Sequence, residues 1–443
     1  MGRAVVVVGA GAAGMAAALA LRERGMEPLL LEAEDRAGGK LGTDSHRGFL
    51  LERAALGLLD RTGELAELCA KLGIAPHPAS PAASLRFLER GGTVHALPRG
   101  PGEALRTRLL STREKLGLLG EPFRPPAPPG GTVAEFFAHR LGAGGRFLGD
   151  AIQTGIHAGD PDRLELRSAF PTLAALAEAG RGSLVRGALA ARQGRKKNYF
   201  FFAGRPRARL ASFRGGMQEL VDALSRETVP RLRARLRAVR RAGTGYRLQV
   251  ESGGGGTEID AERVVLAMPA PRAAEVLEGL DAPLAARLRE LNAAPISVVH
   301  LAVQPQDVAP LHQGFGLLRP GRPVLGALFP AALWPERAPG GQALLTALVG
   351  GARHPQAGSL RDEELVQLVR DELRLPRDPE LLRVVRWSQA IPQYEPGHAG
   401  RVAEIERLTA GHPGLRLTGA WYRGIGVLDC VRDGRKIAEQ LTK

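Results

Sequence analysis

Three glycines and one carboxylate near the start of the chain have the spacing of a phosphate-binding device. Gly9, Ala10, Gly11, Ala12, Ala13 and Gly14 spell GxGxxG, and Glu32 follows about twenty residues later. In such a unit the first glycine permits a tight turn and the second lets backbone approach a pyrophosphate. The third lets helix and strand pack closely, and the carboxylate accepts hydrogen bonds from a ribose hydroxyl. Glycine-rich hexamers are common, so the pattern carries weight only between a strand and a helix. Both are expected here. Val5 to Val8 reads as a buried strand, Ala16 to Arg24 as a helix and Leu29 to Leu31 as a second strand ending at Glu32. The unpaired amides at the helix N-terminus then face the phosphates of a dinucleotide.

The far end of the chain offers a second element of the same kind. Leu415 to Ala420 reads as a strand and turn, and WYRGIGVLDC from Trp421 to Cys430 leads into a helix over Val431 to Leu441. A glycine-rich turn opening a helix presents backbone amides and the positive end of a helix dipole. The ten histidines show no metal-ligand spacing, so no bound metal is expected. Cys69 and Cys430 are the two cysteines, which points to a reducing compartment without a disulfide framework.

A chain of 443 residues needs two or three lobes to carry these elements. Its apolar fraction of 44% is that of a folded globular protein. No run of eighteen apolar residues suggests a membrane span. The chain enters a strand at Ala4 without a basic head and cleavage site, so no signal peptide is expected and the protein reads as cytoplasmic. The Pro/Gly-rich EPFRPPAPPGG from Glu121 to Gly131 reads as a loop, and residues 132–195 as mostly helical. A helix over Gln218 to Arg226 precedes short strands, Val298 to Val349 reads as sheet, and Leu360 to Glu372 as helix.

The formal charge of +15 comes largely from arginines at Arg195 to Arg214 and Arg231 to Arg241. In the second cluster, RLRARLRAVRR, a period of two places the guanidinium groups on one face of a strand. Nucleic acid, an anionic membrane or an acidic substrate could each use such charge. No interleaved basic and aromatic motif accompanies it, so no nucleic-acid partner is expected.

Further motifs give the chain a family resemblance. Glu32-Ala33-Glu34-Asp35-Arg36-Ala37-Gly38-Gly39-Lys40 resembles the extended signature of the flavin-containing amine oxidase superfamily. TGAWYRGIGVLDCVRDGRKIAEQL, beginning at Thr418, is similar to the closing segment of the protoporphyrinogen/coproporphyrinogen oxidases. WSQAIPQYEPGH (Trp387 to His398), GIHAGDP from Gly155, RSAFPTL (Arg167 to Leu173) and FRGGM (Phe213 to Met217) resemble the same family in the same order.

The resemblance implies an α/β fold: a Rossmann-like FAD-binding domain with a mixed-sheet substrate domain and a helical lobe. The FAD-binding domain is expected at residues 1–75, 206–270 and 384–443, the substrate domain at 76–100 and 271–383, and the lobe at 101–205. The implied FAD contacts are Gly9, Ala10, Gly11, Ala12, Ala13, Gly14, Glu32, Ala33, Gly39 and Lys40. Val239 at the adenine side, Trp387, and Ile425, Gly426 and Val427 beside the flavin complete the set. Substrate contacts are implied at Arg86, which aligns with an arginine pairing a propionate, and at Gly155, with Leu317 and Leu348 as apolar walls. The family usually has Gly-Pro after Glu52-Arg53, and this chain has Ala54-Ala55, which leaves assignments at residues 53–57 open.

The implied activity is oxygen-dependent aromatisation of protoporphyrinogen IX to protoporphyrin IX in haem biosynthesis, six electrons leaving with production of H2O2. Coproporphyrinogen III is the alternative substrate. Another flavin amine oxidase or desaturase, or a non-catalytic flavin-binding protein, are the competing readings. Expected partners are the porphyrinogen and O2. An anionic membrane surface on the inner face of the plasma membrane, met by the segment from Thr132 to Leu189, and a second copy in a homodimer stay open.

Overall fold

A computed structural model describes residues 3–128, 130–193 and 209–442. The arginine cluster beginning at Arg195 therefore lies mostly outside the described residues, up to position 208. Arg3–Val8 forms the expected first strand, followed by a helix over Ala12–Arg22 and a strand over Leu29–Leu31. The first strand is parallel to Leu29–Leu31 on one side and to Gly255–Leu266 on the other, and the latter also pairs in parallel with Leu415–Leu417. Val5 and Val7 point into one apolar core, with the helix Ala12–Arg22; Val6 and Val8 point into a second core on the opposite face. A strand buried on both faces needs a continuous apolar run, which is why VVVV sits here.

The six-stranded sheet is completed by the antiparallel strands Ala234–Ala242 and Gly245–Ser252. The arginine-rich strand corrects the expected alternation. It starts at Ala234 rather than Arg231, and a register shift between Leu236 and Ala238 breaks the period of two. Arg240 and Arg241 are consequently both exposed, so the guanidinium groups do not line one face.

A seven-stranded mixed sheet runs in the order Glu380–Pro392, Ala293–Val303, Ala343–Gly350, Val324–Leu328, Gly316–Leu318, Arg86–Arg90, Thr93–Ala96. One face carries Val299, Leu301, Leu345 and Ala347 and packs on Leu365 and Val369 of the helix Asp362–Leu373. The other carries Ile296, Val298, Leu348, Val385 and Trp387 and meets Ala158, just past the long helix Val133–His157.

That helix opens on a capping box, with Thr132 accepting from the Glu135 amide, and kinks at Gly142. Its Val133, Phe136 and Phe137 form a core with Leu164, Phe170 and Leu173. Large exposed apolar side chains of this lobe include Leu105, Leu116, Leu119 and Phe123 before the long helix and Val185 and Leu189 within the segment from Thr132 to Leu189. The Pro/Gly-rich stretch also hides a structured point: Glu121 is fully buried and pairs with the buried Arg140 at 2.6 Å.

Candidate active site

The two ends of the chain meet at the phosphate turn. Gly9 adopts φ +103°, and a Cβ on Gly14 would stand 1.8 Å from the Gly9 carbonyl oxygen. Only glycine allows strand and helix to close that far. The helix Val427–Leu441 packs on the helix Ala12–Arg22 through Gly434, where a Cβ would come within 2.2 Å of the Ala13 carbonyl oxygen. Gly426, the N-cap of the C-terminal helix, is thereby carried toward the first turn.

The loop after Glu32 closes over the same turn. Gly38 forms a bridge with Gly11 and donates its amide to the Ala10 carbonyl at 2.8 Å. A Cβ on Gly39 would lie 3.5 Å from the Gly11 Cα, while one on Gly11 would meet nothing within 4 Å, leaving room at the helix N-terminus. Lys40 is half-buried with no carboxylate partner among the described residues. Burial pushes its ammonium down to about 8, and it lies close enough to Cys430 to interact with it. An uncapped helix N-terminus, open glycine backbone and a desolvated lysine form a cradle of the polarity a diphosphate requires. Glu32 accepts from the Ala10 amide at 2.7 Å and the Glu34 amide at 3.0 Å, and burial raises its pKa. These residues fit FAD.

The side chain of Val239, whose backbone the resemblance assigns to the adenine side, faces the core. It is fully buried, pairs with Leu248 and belongs to the core shared by Val8 and Leu31. The Glu32 backbone is met by that of Arg231, which accepts the Glu32 amide at 2.9 Å, and Ala234, which donates to its carbonyl at 2.8 Å. Ala33 sits between these contacts on the same edge.

On the seven-stranded sheet, register assigns the predicted substrate residues to faces. Leu318, Gly326, Leu348, Val298 and Val385 stand in one cross-strand row, with Trp387 and Ile296 beside it. Leu348 is the one apolar side chain of its strand that is not buried. Arg86 pairs with Gly316, two residues from Leu318, and so shares this face. Its guanidinium lies 4.8 Å from the Phe315 ring centre, exposed to solvent. Gly155 reaches the face from the long helix, where a Cβ would approach Leu318 to 3.1 Å. Leu317 is a correction. It is 3% exposed and pairs with Ala327 in the row of Ala347 and Val299, on the face opposite Leu348. Leu318 stands on the face of Leu348 instead.

The sequence profile described as flavin containing amine oxidoreductase matches residues 12–442. The chain belongs to that family. It is an FAD-dependent oxidoreductase, as the cradle requires. Among curated relatives, the Coproporphyrinogen III oxidase of Bacillus subtilis is 27% identical over 99% of this chain and 98% of its own length. The mitochondrial Protoporphyrinogen oxidase of Nicotiana tabacum is 29% identical over 98% of this chain and 94% of its own. A crystal structure from Exiguobacterium, provisionally named a protoporphyrinogen oxidase, superposes with a TM-score of 0.82 at 25% identity, covering 100% of this chain and 99% of that one. Putrescine oxidase shares the fold, with a TM-score of 0.72 at 18% identity.

In this flavoenzyme the loop that departs from the usual Gly-Pro is held from the second sheet. The Trp387 indole donates to the Arg53 carbonyl at 2.9 Å, and the Ala55 amide reaches the Lys40 carbonyl at 3.4 Å. Behind it lies a buried network that the motifs did not reveal. Glu52 accepts from the Thr43 hydroxyl at 2.7 Å and the Met217 amide at 3.3 Å, beside Arg337 at 3.3 Å. Arg337 in turn donates to the Phe213 carbonyl at 3.0 Å, and the His300 imidazole contacts the Glu52 carbonyl at 3.0 Å. Burial pushes the Glu52 carboxyl up to about 7. The FRGGM turn is thus the docking point of this network. Arg36 is likewise engaged in shaping the loop, through Asp44 at 3.0 Å and Gln218 at 2.6 Å.

Proposed function

We propose that this flavoenzyme oxidises a porphyrinogen in haem biosynthesis, converting protoporphyrinogen IX to protoporphyrin IX. The observation that carries this reading is the composition of one sheet face. Leu318, Leu348 and Trp387 are half-buried rather than packed away, with Arg86 exposed on the same face and Gly155 above it. A flat apolar floor with a cation at its edge suits a disc that carries carboxylates on its rim. Bound FAD would supply the hydride acceptor, with O2 as the final acceptor of the six electrons removed, giving H2O2. The protein's own work is to hold the ring system against Leu318 and Leu348 and to orient it through Arg86. Cofactor contacts are assigned to Gly9–Gly14, Glu32, Gly39, Lys40 and Ile425–Val427, the elements that converge on the cradle.

The amine oxidase reading is disfavoured by the two tyrosines near the cofactor elements. Tyr394 is stacked on His398 with ring centres 4.0 Å apart, and Tyr422 is 4% exposed within the core. Neither is free to frame an amine. Coproporphyrinogen III is the second reading, because relatives named for either porphyrinogen match along nearly the whole chain at 24–29% identity. Anaerobic bleaching of the flavin band by protoporphyrinogen IX, coproporphyrinogen III and putrescine in parallel tests all three. Bleaching by the amine alone would overturn the proposal, and a strong preference for the four-carboxylate substrate would select the second reading.

The exposed apolar side chains Leu105, Leu116, Leu119 and Phe123 support attachment to a membrane surface, with Arg106, Arg108, Arg113 and Lys115 interspersed among them. No described helix is long and apolar enough to cross a membrane.

A further inference from the structure

We infer that Tyr394 is a positioning residue for the flavin-binding turn. Its side chain is 3% exposed, and its hydroxyl sits between two backbone groups of the glycine-rich turn. It donates to the Ala420 carbonyl at 2.6 Å and accepts the Gly424 amide at 2.9 Å. Those two bonds close the segment that leads from the strand Leu415–Leu417 to the N-cap Gly426. Gly424 has φ +141°, a conformation few other residues adopt, and a Cβ there would collide with Asp429 at 2.8 Å. The turn therefore has a demanding backbone path, and the tyrosine hydroxyl bridges it.

The ring is fixed from behind. It stacks on His398 with planes 16° apart, and His398 contacts the Tyr422 carbonyl at 3.3 Å. The adjacent residues are tied to the substrate side: the Gln393 side-chain amide donates to the His157 carbonyl at 2.9 Å, and Glu165 donates its backbone amide to the Tyr394 carbonyl at 2.8 Å. One short segment thus joins the end of the helix bearing Gly155 to the turn that opens the C-terminal helix. A helix N-terminus stabilises negative charge only when its amides are aimed at it. Holding Gly424 to Gly426 in place is how Tyr394 acts on the cofactor, without touching the reacting atoms.

The inference rests on FAD seating at residues 425–427 and does not depend on which substrate is oxidised. Tyr422 provides the control, since it is equally buried and its hydroxyl has no hydrogen-bond partner among the described residues. Release of FAD from purified holoenzyme is followed by recovery of flavin fluorescence, and the flavin reduction potential by dye equilibration. Tyr394→Phe is expected to speed release about 5- to 30-fold, the worth of one to two net hydrogen bonds, and to make the flavin harder to reduce. Tyr422→Phe is expected to change neither. Equal release rates and equal potentials in the two variants would overturn the assignment, as would a loss of thermal stability in Tyr394→Phe with both flavin readouts unchanged. Should Tyr394→Phe fail to fold, hydrogen exchange in the wild-type holoenzyme decides. Slow exchange of the Gly424 amide supports the bond, and exchange at the rate of an open loop overturns it.

Discussion

The Trp387 indole donates a hydrogen bond to the Arg53 carbonyl at 2.9 Å, joining the seven-stranded sheet to the loop that follows Glu52. The Arg53 guanidinium also lies 5.9 Å from the Trp387 ring centre. Trp387 thereby ties the second sheet to a backbone path beside the cradle. The Ala54-Ala55 departure is accommodated there, with Ala55 half-buried against the apolar core of the dinucleotide unit.

Trp387→Phe keeps the apolar surface and removes the donor. We expect it to cost about 1 kcal/mol in stability and to raise the rate of FAD release, because the loop at residues 53–55 loses its tie. Thermal unfolding and flavin fluorescence on dilution measure the two effects. An unchanged FAD release rate would separate Trp387 from the cofactor.

Glu32 holds two backbone amides and faces the cradle. Glu32→Gln keeps an oxygen for the Ala10 amide but gives up the charge and one acceptor. FAD affinity should fall about tenfold to a hundredfold, the range for a charge-assisted hydrogen bond, with a smaller change in the stability of the apoprotein. Titration of apoprotein with FAD checks this, and equal affinity would remove Glu32 from the ribose site.

The cofactor half of this site was legible because its signals are local. Glycine spacing, the carboxylate at position 32 and the turn at residues 424–426 each read out within one short segment. The substrate face was not, because it depends on register. Leu318, Gly326 and Leu348 share one row while Leu317 falls in the row of Ala327 and Ala347, and no periodicity in either strand states that pairing. The arginine-rich strand shows the same limit, since the bulge after Leu236 alters which of its residues turn inward. The Glu52, His300 and Arg337 network joins positions up to 285 residues apart and leaves no local mark. Tyr394 stood inside a recognised motif, yet its work on Gly424 appears only when the chain's end folds back to it.

Acid should destabilise the protein through three buried histidines. His157, His300 and His398 are each pushed down to about 4 by burial. Their folded-state pKa lies below the unfolded value, so the stability they contribute is present above about 6.5 and is lost as pH falls toward 4. Glu52 acts in the opposite sense: its pKa is raised to about 7, so its contribution is lost as pH rises from the ordinary carboxylate range through 7. Glu32, also raised by burial, acts in the same sense as Glu52, but three histidine protons outweigh two carboxyl protons, and unfolding free energy should drop as pH falls through this window. Replacing His300 by Gln should flatten the slope by up to about 1.4 kcal/mol per pH unit, the worth of one proton. A slope unchanged by that replacement would mean that His300 is not held neutral.

Phe123 is 89% exposed, the most exposed of the large apolar side chains among the described residues. If this surface meets a membrane, binding to anionic vesicles should weaken as salt rises, since exposed charges are screened over about 8 Å at physiological ionic strength. Phe123→Ser should reduce vesicle binding while leaving the flavin spectrum intact. Negligible binding to anionic and neutral vesicles alike would leave the patch without a membrane role.

Arg86 and the two leucines at 317 and 318 give the sharpest test of the substrate face. The Arg86 Nε lies 3.4 Å from the Ala83 carbonyl, and the guanidinium rests on Phe315 with no carboxylate partner among the described residues. A planar fork so placed can take a propionate in two parallel bonds. Arg86→Ala should lower kcat/KM about tenfold to a hundredfold, the worth of a charged hydrogen bond. Most of the loss should fall on KM, because the carboxylate stays ionised and bound in both ground and transition states. Lysine should restore part of it, supplying the charge without the fork, and FAD content should not change. Leu318→Ala should raise KM with little loss of stability, since the side chain is half-buried on the proposed floor. Leu317→Ala should do the reverse, costing about 2–5 kcal/mol of stability as a buried leucine truncation with KM unchanged. Steady-state kinetics and urea unfolding on the variants separate these outcomes. If Leu317→Ala raised KM and Leu318→Ala did not, the ring system would lie against the other face of the sheet, and Arg86 could not be the residue that orients it.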